Sequence, residues 1–250
     1  MRNVMSNVMS NVMNEAARLE TARQDLATAN RILFNQGVVD AFGHVSVRHP
    51  ERPGQFLLSA NMAPATVTPG DVLAFDLQGN LLGNGGQKVY LERFIHAAIY
   101  ASRPDVLGVV HSHAAAVVPF TIVKSARLRP VCHMGGFLSG IIPNFEIRDH
   151  AGMGSDLLIR DLTLGQQLAQ SLGQSAAVLM RGHGVTVTGG SLRQAVFRAV
   201  YTQNNAQIQA AAMALGEVTY LTDAEALAAD EANTGQISRA WDFWSSQAQA

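Results

Sequence analysis

The pattern of apolar and polar positions along the chain predicts alternating helices and strands. Apolar residues at helical spacing predict helices over 15–36, 91–102, 155–172 and 191–215, followed by a short last helix after Thr222. Shorter apolar runs bounded by turn residues predict strands within 38–50, 54–60, 68–80, 105–113 and 128–133, and a two-stranded hairpin over 176–190. Mixed helices and strands indicate an α/β fold, with a sheet that carries helices on its faces.

The chain shows no linker and no shift in composition, so one domain is the simplest organisation. The first residues read MRNVMSNVMSNVMNE, with a methionine at every fourth position. We assign 1–14 as a flexible N-terminal extension and 15–250 as a single domain. The Val and Met spacing would equally allow the first helix to continue through the extension.

Composition and charge exclude several classes of function. The net charge is −1 and no segment concentrates Lys or Arg, so a nucleic-acid partner is not expected. No apolar run approaches the roughly 18 residues that a membrane span needs. A single cysteine, Cys132, excludes an internal disulfide and suits a cytoplasmic protein. Charged residues make up only 15%, which hints that some surface is buried against other copies of the chain.

Three histidines are candidate metal ligands. His111 and His113 end an apolar strand, and side chains two positions apart project from the same face of a strand. Taken alone, this pair would more often be two hydrogen-bonded histidines at a sheet end. His183 also follows an apolar run, lies between two glycines, and is accompanied by the acidic Glu92 upstream. Three neutral imidazoles would leave a coordination position open for a substrate, as catalytic sites do.

The segment ERFIHAAIYASRPDVLGVVHSH, followed by RGHGV some seventy residues later, resembles the class II aldolase/adducin family over about 18–216. The resemblance implies a three-layer α/β/α sandwich around a mixed sheet, in a homotetramer with active sites at subunit interfaces. It also implies one divalent ion per subunit, such as zinc or manganese, held by His111, His113 and His183. Glu92 matches the acidic residue that serves as acid and base and can contact the metal.

The sequence departs from the sugar-phosphate members of this family where they hold phosphate. Gly43-His44, Ser59-Ala60 and Tyr90-Leu91 stand in place of a Gly-Asn pair, a Thr-Gly pair and two serines. Most donors for a dianion are lost, and burying a phosphate without donors costs several kcal/mol. A phosphorylated substrate is therefore not expected. Gly43, Ser59, Ala60 and Tyr90 are candidate substrate contacts, as is Arg181 beside the candidate ligand His183.

GHVSVR, ERFIHAAIY and HMGGFLSG resemble the decarboxylase branch of the family, which acts on hydroxylated aromatic or pyridine carboxylic acids. We therefore expect a metal-dependent lyase that decarboxylates such an acid, with Glu92 as the leading proton donor and His44 or His133 in reserve. His133 could instead be a packed strand end, Arg181 a surface ion pair, and His96 a helix partner of Glu92. The alternatives are an aldolase for an unphosphorylated hydroxy-carbonyl substrate and a non-catalytic scaffold of the adducin type.

Overall fold

The computed structural model describes residues 2–83 and 86–248, with side chains from residue 13 onwards. Within these residues the eight strands are β1 (His44–Arg48), β2 (Gln55–Ser59), β3 (Val72–Asp76), β4 (Leu81–Leu82), β5 (Gly108–Ser112), β6 (Asn144–Phe145), β7 (Ala177–Met180) and β8 (Gly184–Gly189). The described part of the chain also has eight α-helices: α1 (Arg2–Asn35), α2 (Arg93–Ser102), α3 (Val118–Ile122), α4 (Arg148–Ala151), α5 (Leu162–Leu172), α6 (Leu192–Leu215), α7 (Asp223–Thr234) and α8 (Ile237–Ala248). Short 3-10 segments cover Pro64–Thr66, Pro69–Asp71 and His133–Leu138.

The strands form one mixed sheet in the order β4-β3-β2-β1-β5-β8-β7-β6. β6 pairs with β7 in parallel, and the other neighbours are antiparallel. The centre of the sheet is β1-β5-β8, three strands that are distant in sequence. This arrangement brings the segments that carry His44, His111 and His183 side by side.

Helices cover both faces of the sheet because its strands are apolar on both sides. Phe56 and Leu58 of β2 face one core, which α2 and α5 close, whereas Leu57 between them faces the other core. That second core is closed by α1, α6 and α8. The alternation follows from the two-residue period of a strand. The predicted three-layer α/β/α sandwich around a mixed sheet is confirmed.

The strand predicted at 128–133 is wrong. Two side-chain amides of α6 form hydrogen bonds with the backbone of this extended segment, in place of a neighbouring strand. Asn205 Oδ1 accepts the Val131 N–H at 2.9 Å and Asn205 Nδ2 donates to the Arg129 carbonyl at 2.8 Å. Gln209 repeats the pattern one turn later on the Arg129 N–H and the Arg127 carbonyl.

The helix predicted over 155–172 is correct only from Leu162, where Asp161 caps it by accepting the Leu164 N–H. Residues 155–160 form a loop, in which Leu157 adopts a left-handed φ of +72°. This loop contacts the candidate site, as described below.

Helix α1 runs through most of the predicted N-terminal extension 1–14. Residue 1 and the side chains of 2–12 lie outside the described part of the chain, and the division at residue 14 stays a prediction. Among the described residues, no helix is both long enough and apolar enough to cross a membrane.

Candidate metal centre

Neighbouring strands of the central sheet place the three candidate ligands together. β5 and β8 are antiparallel with His111 opposite Thr186, so the end of β5 lies beside the start of β8. His113 follows β5 directly, and His183 lies in the tight turn between β7 and β8. The turn is possible because Gly182 adopts a φ of +66°, a conformation that favours glycine.

The ring nitrogens of the three histidines converge on one point. His113 Nε2 lies 3.2 Å from His111 Nε2 and 2.9 Å from His183 Nε2. Glu92 Oε2 lies 3.5 Å from His183 Nε2 and 3.7 Å from His111 Nε2. One ligand atom from each of these four residues lies within 4.8 Å of the others.

Two of the rings are held by a hydrogen bond on the side away from the cluster. His183 Nδ1 lies 2.9 Å from the Leu157 carbonyl oxygen, which can only accept, so His183 carries its proton on Nδ1. His111 Nδ1 lies 3.2 Å from Thr186 Oγ1. Protonation on Nδ1 leaves the Nε2 lone pair free, as a metal-binding histidine requires.

The loop 155–160, which was expected to be helical, holds the Glu92 side chain at the start of α2. Its Oε1 accepts the Ile159 N–H at 2.9 Å, which leaves Oε2 directed at the histidines. The 155–160 loop thus positions two members of the cluster, His183 through a carbonyl and Glu92 through an amide.

The electrostatics keep His111 and His113 available as neutral donors of a lone pair, whereas the pKa of His183 shifts in the opposite direction. Burial, followed by the proximity of His183, holds the pKa of His111 well below its usual value. The same two causes lower the pKa of His113. Burial also acts to lower the pKa of His183, but the nearby Glu92 carboxylate and the Leu157 carbonyl outweigh it, and the net pKa is raised.

These residues fit a divalent cation. Three imidazole nitrogens that converge on one point and one carboxylate are a donor set used by zinc and other first-row metals. Glu92 and His111 are buried, whereas His113 is exposed, so the cluster is accessible from the His113 side. A site with protein ligands on one side and an accessible position on the other suits catalysis.

The other predicted contacts fall into three groups, the first of which adjoins the cluster. His44 lies opposite His111 on β1, and its ring centroid is 5.0 Å from that of His111 and 4.7 Å from that of Tyr90. The Tyr90 hydroxyl donates to the Met62 carbonyl, and burial raises the pKa of Tyr90. Gly43 has a φ of +99°, and an added Cβ would lie 3.1 Å from the His111 carbonyl oxygen.

The donors of the second group, Ser59 and Ala60, are directed at other parts of the protein. The Ser59 hydroxyl is sealed from solvent and lies beside the Tyr90 hydroxyl. The Ala60 N–H donates to the Asp71 carbonyl at 2.8 Å. Neither donor is free at the surface of the cluster.

The third group is not brought to the cluster within this chain. Arg181 Nε donates to Glu146, and both line a groove of about 720 Å³ with apolar residues such as Ile141. The His133 side chain is exposed, and its carbonyl accepts from Asn233 of α7. The roles assigned to these residues stay predictions.

Comparison with known proteins identifies the family. The profile described as Class II Aldolase and Adducin N-terminal domain matches residues 24–210. The chain belongs to this family. The predicted resemblance is confirmed.

This member of the class II aldolase and adducin family has decarboxylases among its relatives. It is 37% identical over 236 residues to Decarboxylase tropJ of Talaromyces stipitatus, an alignment that covers 85% of this chain and 88% of the relative. It is 31% identical over 224 residues to a 3,4-dihydroxyphthalate decarboxylase of a Terrabacter species, covering 83% and 87%. The structure of an L-fuculose 1-phosphate aldolase from Glaciozyma antarctica superposes with a TM-score of 0.74 at 23% identity, covering 92% and 90%, which shows the shared fold. The relatives support a lyase.

Sequence reasoning missed the groups that orient the cluster. Leu157 and Ile159 act through the backbone, which leaves no signal in residue type. Thr186 was recognisable in principle, because it lies in the strand that pairs with the His111 strand. His96, expected to be a helix partner of Glu92, instead bonds His44, 52 positions away.

Proposed function

We propose that this protein is a divalent-metal-dependent decarboxylase of a hydroxylated aromatic or pyridine carboxylic acid. The observation that carries the proposal is the accessible cluster of His111, His113, His183 and Glu92. The decarboxylase relatives support the choice of reaction. We assign the three histidines as the ligands of one ion per subunit, with Glu92 as acid and base.

The surroundings of the cluster favour a flat substrate without phosphate. Phe42 is 66% exposed, and its ring lies over His113 with centroids 6.5 Å apart. Positions 59 and 60, where phosphate donors would be expected, offer none, since the Ser59 hydroxyl is sealed and the Ala60 amide is bonded to Asp71. An exposed aromatic ring beside a metal site suits an aromatic acid.

A divalent ion held by these residues would stabilise the negative charge that builds on substrate oxygens as the carbon–carboxylate bond breaks. Glu92 Oε2, on the inner side of the cluster, delivers a proton to the ring carbon that bears the carboxylate. The bond to the carboxylate then breaks, its electron pair returns to the ring, and carbon dioxide leaves. Glu92 ends the cycle as a carboxylate and regains its proton from solvent.

The deciding experiment incubates metal-loaded protein with hydroxybenzoates, hydroxyphthalates and hydroxypyridine carboxylates while carbon dioxide release is followed. We expect release from at least one acid, its loss on chelation, and its recovery when metal is restored. Cleavage of an unphosphorylated hydroxy-carbonyl compound without carbon dioxide release would favour the aldolase. Less than about one-tenth equivalent of metal, with no uptake on titration, would favour the scaffold.

The homotetramer with interface active sites is part of the same proposal. Large apolar side chains are exposed on the single chain, among them Ile141 at 74%, Met153 at 81% and Leu215 at 91%. Burial of such residues between subunits would stabilise an assembly. Light scattering on the purified protein is expected to give the mass of four chains, and a monomer would contradict this assignment.

A further inference from the structure

A chain of buried hydrogen bonds runs from the candidate metal centre into the core between the sheet and α2. His44 Nδ1 lies 2.7 Å from His96 Nε2, and His96 Nδ1 lies 2.6 Å from Ser46 Oγ. Ser46 Oγ lies 2.8 Å from the Tyr100 hydroxyl oxygen. His44 is 4% exposed, and the other three residues are 0–1% exposed, so no bulk water competes for these bonds.

Which group donates in each of these hydrogen bonds follows from Tyr100, at the inner end of the series. The Tyr100 hydroxyl has one proton, and Ser46 Oγ is the acceptor that the described residues offer it. If Ser46 donated to Tyr100 instead, the tyrosine proton would be buried without an acceptor, which is costly. Tyr100 therefore donates to Ser46, and Ser46 donates to His96 Nδ1.

The remaining protons are then determined. His96 accepts on Nδ1, so its single proton is on Nε2 and is donated to His44 Nδ1. His44 consequently carries its proton on Nε2. That nitrogen has no hydrogen-bond partner among the described residues, and it is not one of the unpartnered side-chain atoms sealed from solvent.

His44 thus carries its proton on the opposite ring nitrogen from the one that donates in His111, its neighbour on β5. His183 is held with its proton on Nδ1 and its Nε2 lone pair directed inward, and His111 can donate from Nδ1 to Thr186 in the same way. His44, in register with His111, offers an N–H. An N–H cannot ligate a metal ion, but it can donate to an anionic oxygen of a ligand bound at the cluster.

We propose that Tyr100, Ser46 and His96 fix His44 with its proton on Nε2, so that His44 donates a hydrogen bond to a carboxylate or phenolate oxygen of the substrate. The nature of that substrate rests on the proposed function, whereas the arrangement of protons does not. His96, Ser46 and Tyr100 are positioning residues. His44 serves here as a donor, not as a base. Burial lowers the pKa of His44, which is consistent with a neutral ring.

The test is nitrogen NMR of zinc-loaded protein labelled with ¹⁵N-histidine, with the His44 signals assigned by their loss in His44→Gln. We expect a protonated Nε2 and an unprotonated Nδ1 at His44. Ser46→Ala removes the donor to His96 and Tyr100→Phe removes the proton that sets the direction, so each should give a mixture of the two His44 tautomers. Ser102→Ala is the matched control, because its hydroxyl bonds only carbonyls of its own helix, and it should leave the His44 signals unchanged.

A proton on His44 Nδ1 in the wild-type protein would overturn the proposal, as would an unchanged tautomer in both folded variants. These signals do not depend on turnover. Protein that shows the expected tautomer but releases no carbon dioxide from any acid would therefore contradict the proposed function alone. With an active substrate, Ser46→Ala is expected to raise KM by about 3- to 10-fold with little change in kcat. A change confined to kcat would contradict the donor role.

Discussion

His183 Nδ1 lies 2.9 Å from the carbonyl oxygen of Leu157, a residue whose φ is +72°. Left-handed backbone at a leucine costs about 1–2 kcal/mol. Such strain is typical of functional sites, where surrounding structure holds a residue in place. The bond protonates His183 on Nδ1 and so directs its lone pair into the cluster.

Removal of His183 should abolish tight metal binding. We expect His183→Ala to weaken zinc affinity by more than the 10–100-fold that is common when an outer hydrogen-bond partner of a ligand is lost. Competition with a chromogenic chelator measures this. His150→Ala changes an exposed histidine outside the cluster and should bind zinc as the wild-type protein does. Equal affinities in the two variants would refute the ligand role.

Replacement of the Glu92 carboxylate by an amide should separate metal binding from turnover. Glu92→Gln can still accept the Ile159 N–H through its amide oxygen, so the fold and about one equivalent of metal should be retained. The amide cannot deliver a proton, and kcat should fall by about 10²–10⁴-fold. Metal analysis and carbon dioxide release on the same samples measure both effects. Glu231→Gln, on the exposed surface of α7, is the control, and unchanged kcat in Glu92→Gln would exclude the acid/base role.

A side chain at position 43 should disturb both the fold and the cluster. The Cβ of an alanine would lie 2.6 Å from Val39 Cγ1, at a φ of +99° that alanine rarely adopts. We expect Gly43→Ala to lower the free energy of unfolding by about 2–4 kcal/mol and to weaken zinc binding through the adjacent His111. Chemical denaturation of the metal-free protein measures the first effect. Gly54→Ala, where an added Cβ meets no atom within 4 Å, should change stability by less than about 1 kcal/mol.

The hydrogen bonds from α6 to the segment 128–133, which was predicted to be a strand, can be tested with two substitutions in that helix. Gln209 is buried and satisfies the Arg129 N–H and the Arg127 carbonyl. Gln209→Ala should lower the free energy of unfolding by about 1–3 kcal/mol, because backbone groups lose their partners. Gln207→Ala removes an exposed side chain two positions away and should stay within about 0.5 kcal/mol of wild type. Equal stability of the two variants would contradict the pairing.

Burial of His96 predicts a specific dependence of stability on pH. Burial lowers the pKa of His96 to about 3, whereas the unfolded chain is protonated near its ordinary value of 6.5. The unfolded state therefore binds the additional proton as the pH falls below 6.5, and folding loses about 1.4 kcal/mol per pH unit from this group. The metal-free His96→Asn variant should show a pH slope between 6 and 4 that is shallower by this amount. Denaturation at several pH values measures it, with His150→Gln expected to keep the wild-type slope.

Residues close in the chain determined much of the fold and of the cluster. His111 and His113 share a face because a strand repeats every two residues. Ser191 accepts the Gln194 N–H at the start of the predicted helix 191–215, and α7 begins after Thr222 as predicted, with a capping box between Thr222 and Glu225. Each of these features depends on partners a few positions apart, which is why the pattern of residues was enough to predict them.

The tertiary structure decided which groups orient the cluster. His44 meets His96 across 52 positions, and Glu92 meets Ile159 across 67. Arg181, predicted beside the substrate, is paired with Glu146 in a separate groove. Residues 155–160 were predicted to be helical but form a loop, and the backbone of this loop hydrogen-bonds Glu92 and His183. Partners so distant in sequence meet only after the strands have paired and the helices have packed, so no local pattern specifies them.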